Sequence, residues 1–357
     1  MVDMKTRRSM WCLPEEVTLN ILIRLPLKSI GRCRCVCKLW RSLMSTPYFA
    51  NLQLNRTISD PNTNNFRLLT LHPFYSLDYE SPCLFEDVDD DSAIVNLDYP
   101  LMKVSENVQI VGSCNGLICL LYAPDCFILW NPLTKDAREL PKLSTTSSEF
   151  SFSGLGHVSH TDDYKVVYAN DTKLEVFSLK RGSWRRIDGP GNYTVIREIG
   201  TFVNGALHWV GIRGTGENKH HVIVSFNLAE EKFGEILMPV LHRAHLFYRL
   251  VIFEGSLCFI SFQSGEFEVW VMKTCGMRMA WTPLLLLSAE ELGHADPICF
   301  TKNGDFILDD DRLNLVRCNL KERTVRDLKN PSGSWFGWVV YVESLVAPAV
   351  GQNRMDQ

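Results

Sequence analysis

The alternation of apolar and polar residues divides the chain into a short helical segment and a long segment of strands. Between Leu13 and Met44, apolar side chains recur at spacings of three and four, the period of one helix face. Pro26 interrupts this pattern and Pro47 ends it. The spacing therefore predicts three short helices near the N-terminus.

Beyond Arg56 the sequence is rich in aromatic and β-branched residues, with polar turns at regular intervals. Turn residues precede an apolar strand in steps of 50, 47, 42, 50 and 49 residues, at Asn65, Asn115, Asp162, Asn204, Glu254 and Asn303. Half a unit later, turns between two strands follow in steps of 48, 48, 46 and 46 residues, at Asn131, Leu179, Asn227, Lys273 and Asn319. Four short strands in a unit of this length are typical of a propeller blade.

The expected fold is α+β by segments, a small N-terminal three-helix unit followed by an all-β, propeller-like domain of about six blades. The segment "WFGWVVYVESLV" is left over, and its pairing with the first blade would close the ring and remove free strand edges. A β-sandwich is the weaker alternative because it does not require so regular a repeat. The predicted limits are 11–50 for the helices, 60–347 for the propeller and 348–357 for a disordered tail.

Composition limits the compartment and the kinds of partner. With 46% hydrophobic and 22% charged residues, the chain reads as a packed globular protein of about two domains. A net charge of −4 gives no argument for a nucleic-acid or membrane partner. Prolines and charges interrupt the first thirty residues, so a signal peptide is not expected. We expect a cytoplasmic or nuclear protein whose twelve cysteines stay reduced.

Motifs for enzymatic chemistry are weak throughout the sequence. We find no G-x-S-x-G, H-E-x-x-H or G-x-x-x-x-G-K-[ST] pattern, so we expect no catalytic residue and no cofactor. Cys33, Cys35 and Cys37 are spaced by two, which fits neither a C-x-x-C zinc site nor one helix face. The acidic runs 86–91 and 309–311 lack the glycine and distal glutamate of a calcium loop. We interpret these runs as solvated turns and predict no metal site.

The apolar face of the N-terminal helices favours a docking module over an isolated core. A helical unit of about forty residues seldom folds alone without a metal, a disulfide or a partner. Leaving five such side chains in water would forfeit roughly 8 to 15 kcal/mol as an upper bound. An apolar helical surface of this kind suits a protein partner.

Residues 11–50 resemble an F-box, because "LPEEV", "LPLKS" and "RCVCKLW" stand in that family's order and spacing. The resemblance implies binding to a Skp-type adaptor and, through it, to a cullin-RING ubiquitin ligase. Ile30 and Gly31 depart from the more usual pair of leucine-like residues. The residues that match the adaptor-contacting positions of the family are Leu13, Pro14, Ile21, Leu22, Leu25, Leu27, Val36, Cys37, Trp40 and Leu43.

Residues 110–347 resemble the F-box-associated (type 1, kelch-like) domain of plant F-box proteins. The phrases that carry this resemblance are "GSCNGLICL", "ILWNPLTK", "DYKVV", "FVNGALHWV" and "YVESLV". It implies that the domain recruits the protein to be ubiquitinated, and Trp184 and Trp209 recur with the unit period as expected of blade cores. Aromatic and arginine side chains on loops are common interface anchors. The first candidates for target contact are Arg243, Phe247 and Tyr248, followed by Asp89 in an acidic loop.

Together these expectations predict that the protein is a substrate-recognition subunit of an SCF-type ubiquitin ligase. The subunit itself is not expected to be an enzyme. Two alternatives stay open at this stage, a propeller hydrolase or lyase with a helical appendage, and an F-box scaffold acting outside a ligase. The target is open among an S-ribonuclease, an immune receptor, a hormone regulator and other proteins. No nucleic-acid or membrane partner is expected.

Overall fold

Four helices precede the strands among the residues that the computed structural model describes. Those residues are 13–60, 65–72, 74–84, 91–102, 108–122, 125–143, 150–170, 173–196, 199–239, 247–263, 266–275, 278–288, 295–310, 315–319, 322, 324–327 and 336–348. The helices are α1 (Glu15–Leu22), α2 (Leu27–Cys33), α3 (Lys38–Met44) and α4 (Pro47–Ser59).

The first three helices confirm the sequence pattern. Glu15 and Glu16 lie in the first turn of α1, where the positive end of the helix dipole favours carboxylates. Both α1 and α2 begin directly after a proline, whose fixed φ and missing N–H suit the start of a helix. Their buried side chains pack into a small core, the helical core, made of Leu22, Leu27, Ile30, Met44 and Phe49.

Pro47 does not end the helical segment, because it is the first residue of α4. Proline is well tolerated there, since the N–H groups of the first turn have no partner within the helix. The Thr46 hydroxyl caps the helix by accepting a hydrogen bond of 3.1 Å from the Phe49 amide. The Thr-Pro pair was a helix-start signal that the sequence interpretation missed. The predicted boundary at residue 50 falls inside this helix, which continues to Ser59.

The strands alternate with short turns through the rest of the chain. The first thirteen are β1 (Phe66–His72), β2 (Tyr75–Leu77), β3 (Ile94–Asn96), β4 (Val108–Cys114), β5 (Leu117–Tyr122), β6 (Cys126–Trp130), β7 (Ala137–Glu139), β8 (Phe150–Val158), β9 (Asp163–Asn170), β10 (Lys173–Ser178), β11 (Ser183–Ile187), β12 (Tyr193–Val195) and β13 (Thr201–Val203). The others are β14 (Ala206–Arg213), β15 (His220–Asn227), β16 (Lys232–Ile236), β17 (Phe247–Phe253), β18 (Ser256–Gln263), β19 (Glu266–Cys275), β20 (Arg278–Ser288), β21 (Asp296–Phe300), β22 (Phe306–Asp309), β23 (Leu315–Asn319), β24 (Thr324–Asp327) and β25 (Phe336–Val342).

Within the described residues these strands form six antiparallel sheets, the blades of a six-bladed propeller, as predicted. Blade 1 joins β25 to β1–β3, and blades 2 to 6 follow as β4–β7, β8–β11, β12–β16, β17–β20 and β21–β24. The first strands of neighbouring blades contact each other and therefore surround the central axis. In blade 4 this inner position is shared by β12 and β13, which both pair with β14.

The first repeat series marks the turn from the inner strand of a blade to its second strand. Asn115, Asp162, Asn204 and Glu254 all adopt positive φ, between 48° and 53°, which asparagine and aspartate tolerate better than most residues. Asn65 stands directly before β1, the second strand of blade 1. Blade 1 therefore keeps the repeat period of the turn residues, although the inner strand of this blade comes from the C-terminus.

The second series marks the turn from the third to the fourth strand in four of its five positions. Asn131, Leu179, Asn227 and Asn319 each end a third strand or directly follow one. Lys273 differs from the prediction because it lies inside β19, whose pairing with β20 continues to Cys275 and Arg278. That hairpin is longer than its counterparts, so the turn lies beyond the repeat position.

The C-terminal strand closes the ring, as the leftover segment predicted. β25 pairs along β1 from His72 and Phe336 to Phe66 and Val342, and it is the inner strand of blade 1. The Arg67 guanidinium lies 3.6 Å from the carboxylate of Glu343, which directly follows β25. An ion pair therefore ties the two ends of the propeller together beside the backbone pairing.

The residues after β25 form a strap, defined here as Ser344–Val346, that crosses onto blade 2. The Asn131 amide is almost fully buried and donates to the carbonyls of Ser344 and Val346, at 3.0 and 2.7 Å. The Ser344 hydroxyl donates to the Asn115 carbonyl at 2.7 Å. A Cβ on Gly116 would approach that hydroxyl to 2.1 Å, and the φ of Gly116 is +88°, so the approach requires glycine.

Tryptophans link neighbouring blades, and Trp209 is buried as expected of a blade core. Trp184 is half-buried against Phe127 of blade 2, and its indole Nε1 donates to the Pro141 carbonyl at 2.6 Å. Trp281 of blade 5 donates in the same way to the Leu237 carbonyl of blade 4, at 2.7 Å. The repeated tryptophans therefore stabilise the seams between blades.

Removing the closing strand is expected to unfold the propeller cooperatively rather than trim a tail. A chain that ends at Gly333 loses the inner strand of blade 1 and leaves β1 with an unpaired edge. A matched control that ends at Pro348 keeps both β25 and the strap. Thermal unfolding followed by circular dichroism checks this, and an unchanged transition in the shorter chain would contradict the closure.

Asn131→Ala is expected to lower the free energy of unfolding by about 3 kcal/mol, because it leaves two buried strap carbonyls without a donor. Asn227→Ala is the matched control. Asn227 occupies the equivalent turn, and the side-chain oxygens of Asn131 and Asn227 each accept hydrogen bonds from two backbone N–H groups. The Asn227 side chain, however, is exposed. We expect a loss of about 1 kcal/mol or less there. Chemical denaturation of both variants measures the difference, and equal losses would contradict the role of the strap.

Candidate interaction surfaces

Helix α4 belongs to two cores and so joins the helices to the propeller. Phe49 lies in the helical core, whereas Ala50 and Leu54 pack in a core with Leu117 of blade 2 and Val346 of the strap. Leu133 of blade 2 and Leu345 of the strap pack in turn against the helical core. Apolar contacts from both sides therefore hold the helices against one end of the propeller.

The contacts of α4 identify that end. We call it the helix face, the end at which the inner strands finish, and the other end the opposite face. Leu117 follows the turn after β4, and Leu179 of the same core follows the third strand of blade 3. Because strands alternate in direction, turns after first and third strands lie on the helix face, and turns after second and fourth strands lie on the opposite face.

The ten residues predicted to contact an adaptor divide by exposure. Their exposures run from 65% for Val36 and 54% for Leu13 to 0% for Leu22. The exposed ones are Leu13, Pro14, Ile21, Val36 and Cys37, the half-buried ones are Leu25 and Trp40, and the buried ones are Leu22, Leu27 and Leu43. Trp40 packs against the helical core, so it supports the helices themselves. The buried members hold the fold that presents the exposed ones.

Two further exposed apolar side chains extend this surface. Val17 is 41% exposed on α1, one turn before Ile21, and Leu39 is 48% exposed on α3. The four-residue spacing of Val17 and Ile21 places them on one face of α1. This spacing was visible in the sequence, but exposure was not. Leu13 lies two residues before the first residue of α1. We call Leu13, Val17, Ile21, Val36 and Leu39 the apolar surface of the helices.

The residues predicted to contact a target are only partly described. Arg243 and Asp89 lie outside the described residues, and Phe247 is described through its backbone as the first residue of β17. Tyr248 is half-buried, and its ring centroid lies 4.9 Å from that of His221. Because β15 and β17 both begin on the opposite face, this contact joins the starts of these two strands there.

The acidic loop lies at the other end of the propeller. It connects β2 to β3, the third and fourth strands of blade 1, and therefore leaves the blade on the helix face. The Glu80 carboxylate in its described part accepts a hydrogen bond of 2.7 Å from the Lys302 amide in the turn before β22. The two described ends of this loop, at β2 and β3, therefore lie at the other end of the propeller from the start of β17.

The prediction that the acidic run 309–311 is a solvated turn is wrong for Asp309. It ends β22 on the opposite face, is half-buried, and accepts a hydrogen bond of 2.9 Å from Trp338 Nε1 of blade 1. Its strand partner is Asp296, which pairs with Arg249 of blade 5 at 3.3 Å. Burial raises the pKa of Asp309 to about 6, and Asp296 adds to the rise.

Other candidate sites gain no support from the geometry. Among the described residues, no group of three or more histidine, cysteine or acidic side chains is placed to hold a metal ion. His157 forms a hydrogen bond of 2.9 Å with the Asp162 carboxylate. None of the described helices combines the length and the apolar character needed to cross a membrane.

Each of the two segments of the chain matches a known protein family. Residues 68–347 match the family described as F-box associated beta propeller domain, and residues 10–52 match the F-box domain. The chain belongs to the F-box-associated β-propeller family. The resemblance seen in the sequence is thereby confirmed, and so is the order of an F-box followed by a propeller.

Relatives of this F-box protein in Arabidopsis thaliana share its organisation over most of the chain. The F-box protein CPR1 is 27% identical, over 89% of this chain and 84% of its own length. The F-box protein At3g07870 is 28% identical, over 93% and 91%. The F-box/kelch-repeat protein At3g23880 is 29% identical, over 76% and 79%. The helical unit described above is therefore an F-box, and its apolar surface is a surface of that F-box.

Asp309→Asn is expected to stabilise the F-box protein at neutral pH. The folded-state pKa lies above the unfolded one, so the stability that Asp309 contributes in acid is lost as pH rises through about 6. Asparagine keeps an acceptor for the Trp338 indole and removes the charge. Thermal unfolding between about pH 5 and pH 7.5 should show a higher Tm at neutral pH and a flatter pH dependence.

Asp327→Asn provides the matched control for this experiment. Asp327 ends the next-but-one strand, β24, and its side chain is exposed. Its substitution should leave both Tm and its pH dependence nearly unchanged. A lower Tm for Asp309→Asn at neutral pH, or the same pH dependence as the wild type, would show that the charge at this position does not destabilise the fold.

Proposed function

We propose that this protein is the substrate-recognition subunit of an SCF-type ubiquitin ligase, which recruits a target protein for ubiquitination and proteasomal degradation. The observation that best supports this proposal is that the F-box has an exposed apolar surface. The F-box also packs against the propeller through α4. The F-box supplies the attachment to a Skp-type adaptor and a cullin-RING ligase, and the propeller supplies the attachment to the target. Such a role places the protein in the cytoplasm or nucleus.

The apolar surface contributes part of the binding energy of such a complex. Its five members are between 41% and 65% exposed, so roughly half of each side chain remains to be buried. At about 1.5 to 3 kcal/mol for a complete side chain, the gain is on the order of 5 kcal/mol before the costs of association. Contacts around this centre would supply the rest. A helix-in-groove arrangement fits such a surface.

The proposed mechanism is positioning rather than bond chemistry by this chain. Holding a target lysine near a ubiquitin-charged conjugating enzyme replaces a bimolecular encounter by an effectively intramolecular one. This requires a fixed relation between the adaptor and the target. The shared core of α4, blade 2 and the strap supports that requirement, because it leaves few free rotations between F-box and propeller.

The opposite face around blades 4 and 5 is the proposed target site. His221 and Tyr248 contact there, and beside them the Glu235 carboxylate accepts from Tyr193 Oη at 3.1 Å and from Arg213 Nη1 at 2.9 Å. Tyrosine and arginine are the side chains most enriched at interface centres. We therefore assign Arg243, Phe247 and Tyr248 to this site and treat Asp89, which stands between β2 and β3 in the sequence, as the competing candidate.

Val36→Asp is expected to weaken adaptor binding by at least tenfold without changing the fold. Val36 is 65% exposed between α2 and α3, so a charge is tolerated in the free protein but must be desolvated in the complex. Val95→Asp is the matched control, since Val95 is 52% exposed on β3 of the propeller. The measurement is the Kd of the full chain for a Skp-type adaptor, together with Tm.

Two outcomes would contradict the adaptor role. Wild-type protein that binds none of a panel of Skp-type adaptors would show that the F-box does not serve a ligase. Equal affinities for the Val36 and Val95 variants would show that the apolar surface is not the contact. Trp40→Ala is a poorer test, because Trp40 also packs against the helical core and its loss reduces stability.

Replacing residues 240–246 by a glycine-serine segment of equal length is expected to abolish target capture. The same replacement of residues 86–90 is the control, because that loop leaves the propeller on the helix face. Proteins co-purified with each variant, with and without a proteasome inhibitor, are compared by quantitative mass spectrometry. Adaptor co-purification should stay constant. Loss of the inhibitor-stabilised proteins only with the second replacement would move the target site to the acidic loop.

A further inference from the structure

The thiols of this protein differ sharply in accessibility. None of the ten described cysteines forms a disulfide with another of them, and Cys35 and Cys37 are the exposed ones. Three are half-buried and five are buried, the latter being Cys114, Cys119, Cys258, Cys299 and Cys318. Burial raises the pKa of each buried thiol and so suppresses the reactive thiolate. Among the described cysteines, the exposed thiols therefore lie in the turn between α2 and α3.

This turn lies in a strongly cationic stretch of the chain. No aspartate or glutamate occurs between Glu16 and Asp60, whereas seven arginines and lysines do. Four of these flank the two thiols closely, namely Arg32, Arg34, Lys38 and Arg41. A patch of one sign attracts small ions of the other sign and raises their local concentration. Anionic thiol reagents are therefore favoured here over neutral or cationic ones.

The two thiols also border the apolar surface. Val36, its most exposed member, stands between them, and Leu39 follows two residues after Cys37. The Cys37 sulfur accepts a hydrogen bond from the Trp40 amide at 3.5 Å and caps α3. The nearest partner of the Cys35 thiol is the Gly31 carbonyl at 4.0 Å, so little holds it in place.

We propose that Cys35 and Cys37 form a modification site for anionic disulfides such as oxidised glutathione, and that its modification blocks the adaptor-binding surface. The blocking half of this proposal rests on the proposed function. The modification half depends only on the exposure and surroundings of the two thiols.

The reaction is a thiol–disulfide exchange. The cysteine thiol gives its proton to solvent, and the thiolate sulfur attacks one sulfur of the glutathione disulfide. The bond between the two glutathione sulfurs breaks, a new sulfur–sulfur bond to the cysteine forms, and the second glutathione leaves with the electron pair as a thiolate. The cysteine is oxidised and the leaving glutathione is reduced. Excess thiol reverses the step.

A glutathione adduct is incompatible with a buried apolar contact at this position. It adds a tripeptide with a net negative charge beside Val36, and that charge would have to be desolvated in the complex. The effect should resemble that of Val36→Asp with added steric hindrance. Neither Cys35 nor Cys37 belongs to the helical core, so the free protein should keep its stability.

The test uses the full chain and oxidised glutathione as the probe. Reduced protein is incubated with the disulfide, and peptide mapping by mass spectrometry should locate the adduct on Cys35 or Cys37 and on none of the five buried cysteines. Adaptor affinity should fall at least tenfold and return after treatment with dithiothreitol. The Tm of the modified protein should match that of the reduced protein.

The double variant Cys35→Ser, Cys37→Ser separates modification from any general effect of the oxidant. Serine is a preferred helix cap, so α3 should be retained. Its adaptor affinity should be insensitive to oxidised glutathione. Cys83→Ser, a half-buried thiol of the propeller, is the matched control and should lose affinity like the wild type.

The outcomes distinguish the two proposals. Modification at other cysteines while Cys35 and Cys37 stay reduced would show that the proposed modification site is wrong. Full modification of Cys35 and Cys37 with unchanged adaptor affinity would show that modification does not block adaptor binding. Failure of the reduced wild-type protein to bind any adaptor would instead reject the proposed function. The mapping would still decide whether the thiol site exists.

Discussion

Pairing of the last strand with the first is the constraint on which the rest of this structure depends. β25 is the inner strand of blade 1, and the strap that follows it lies between blade 2 and the F-box. The ring therefore closes only when the end of the chain is in place. Because α4 packs against Val346 and the helical core against Leu345, the same closure also seats the F-box.

Helix α4 connects the F-box helices to the propeller through packing contacts with both. Its first turn supports the helices through Phe49, and its next turns support the propeller through Ala50 and Leu54. The F-box thereby packs against one end of the propeller. In the function proposed above, adaptor and target are held at opposite ends of one chain, an arrangement suited to catalysis by proximity.

Much of the fold was readable from the sequence because blades repeat. Turn residues such as Asn115 and Asn204 recur where the backbone needs positive φ, and this marks each blade without knowledge of its neighbours. Local signals failed where the chain departs from the period. Lys273 lies within a lengthened hairpin, and Pro47 starts a helix because Thr46 caps it. The residues of the F-box were likewise recognised from their order and spacing.

The sequence by itself determined the two segments, the number of blades, the closing strand and the identity of the F-box, because each depends on periodic or contiguous residues. It did not separate Val36, which is exposed, from Leu22, which is buried, since both are apolar at helical spacing. Nor did it show that Asp309 is half-buried beside Trp338, or that β2 ends and β17 begins at opposite ends of the propeller. Only the tertiary structure decided these points, because exposure and proximity depend on contacts between residues far apart in the chain.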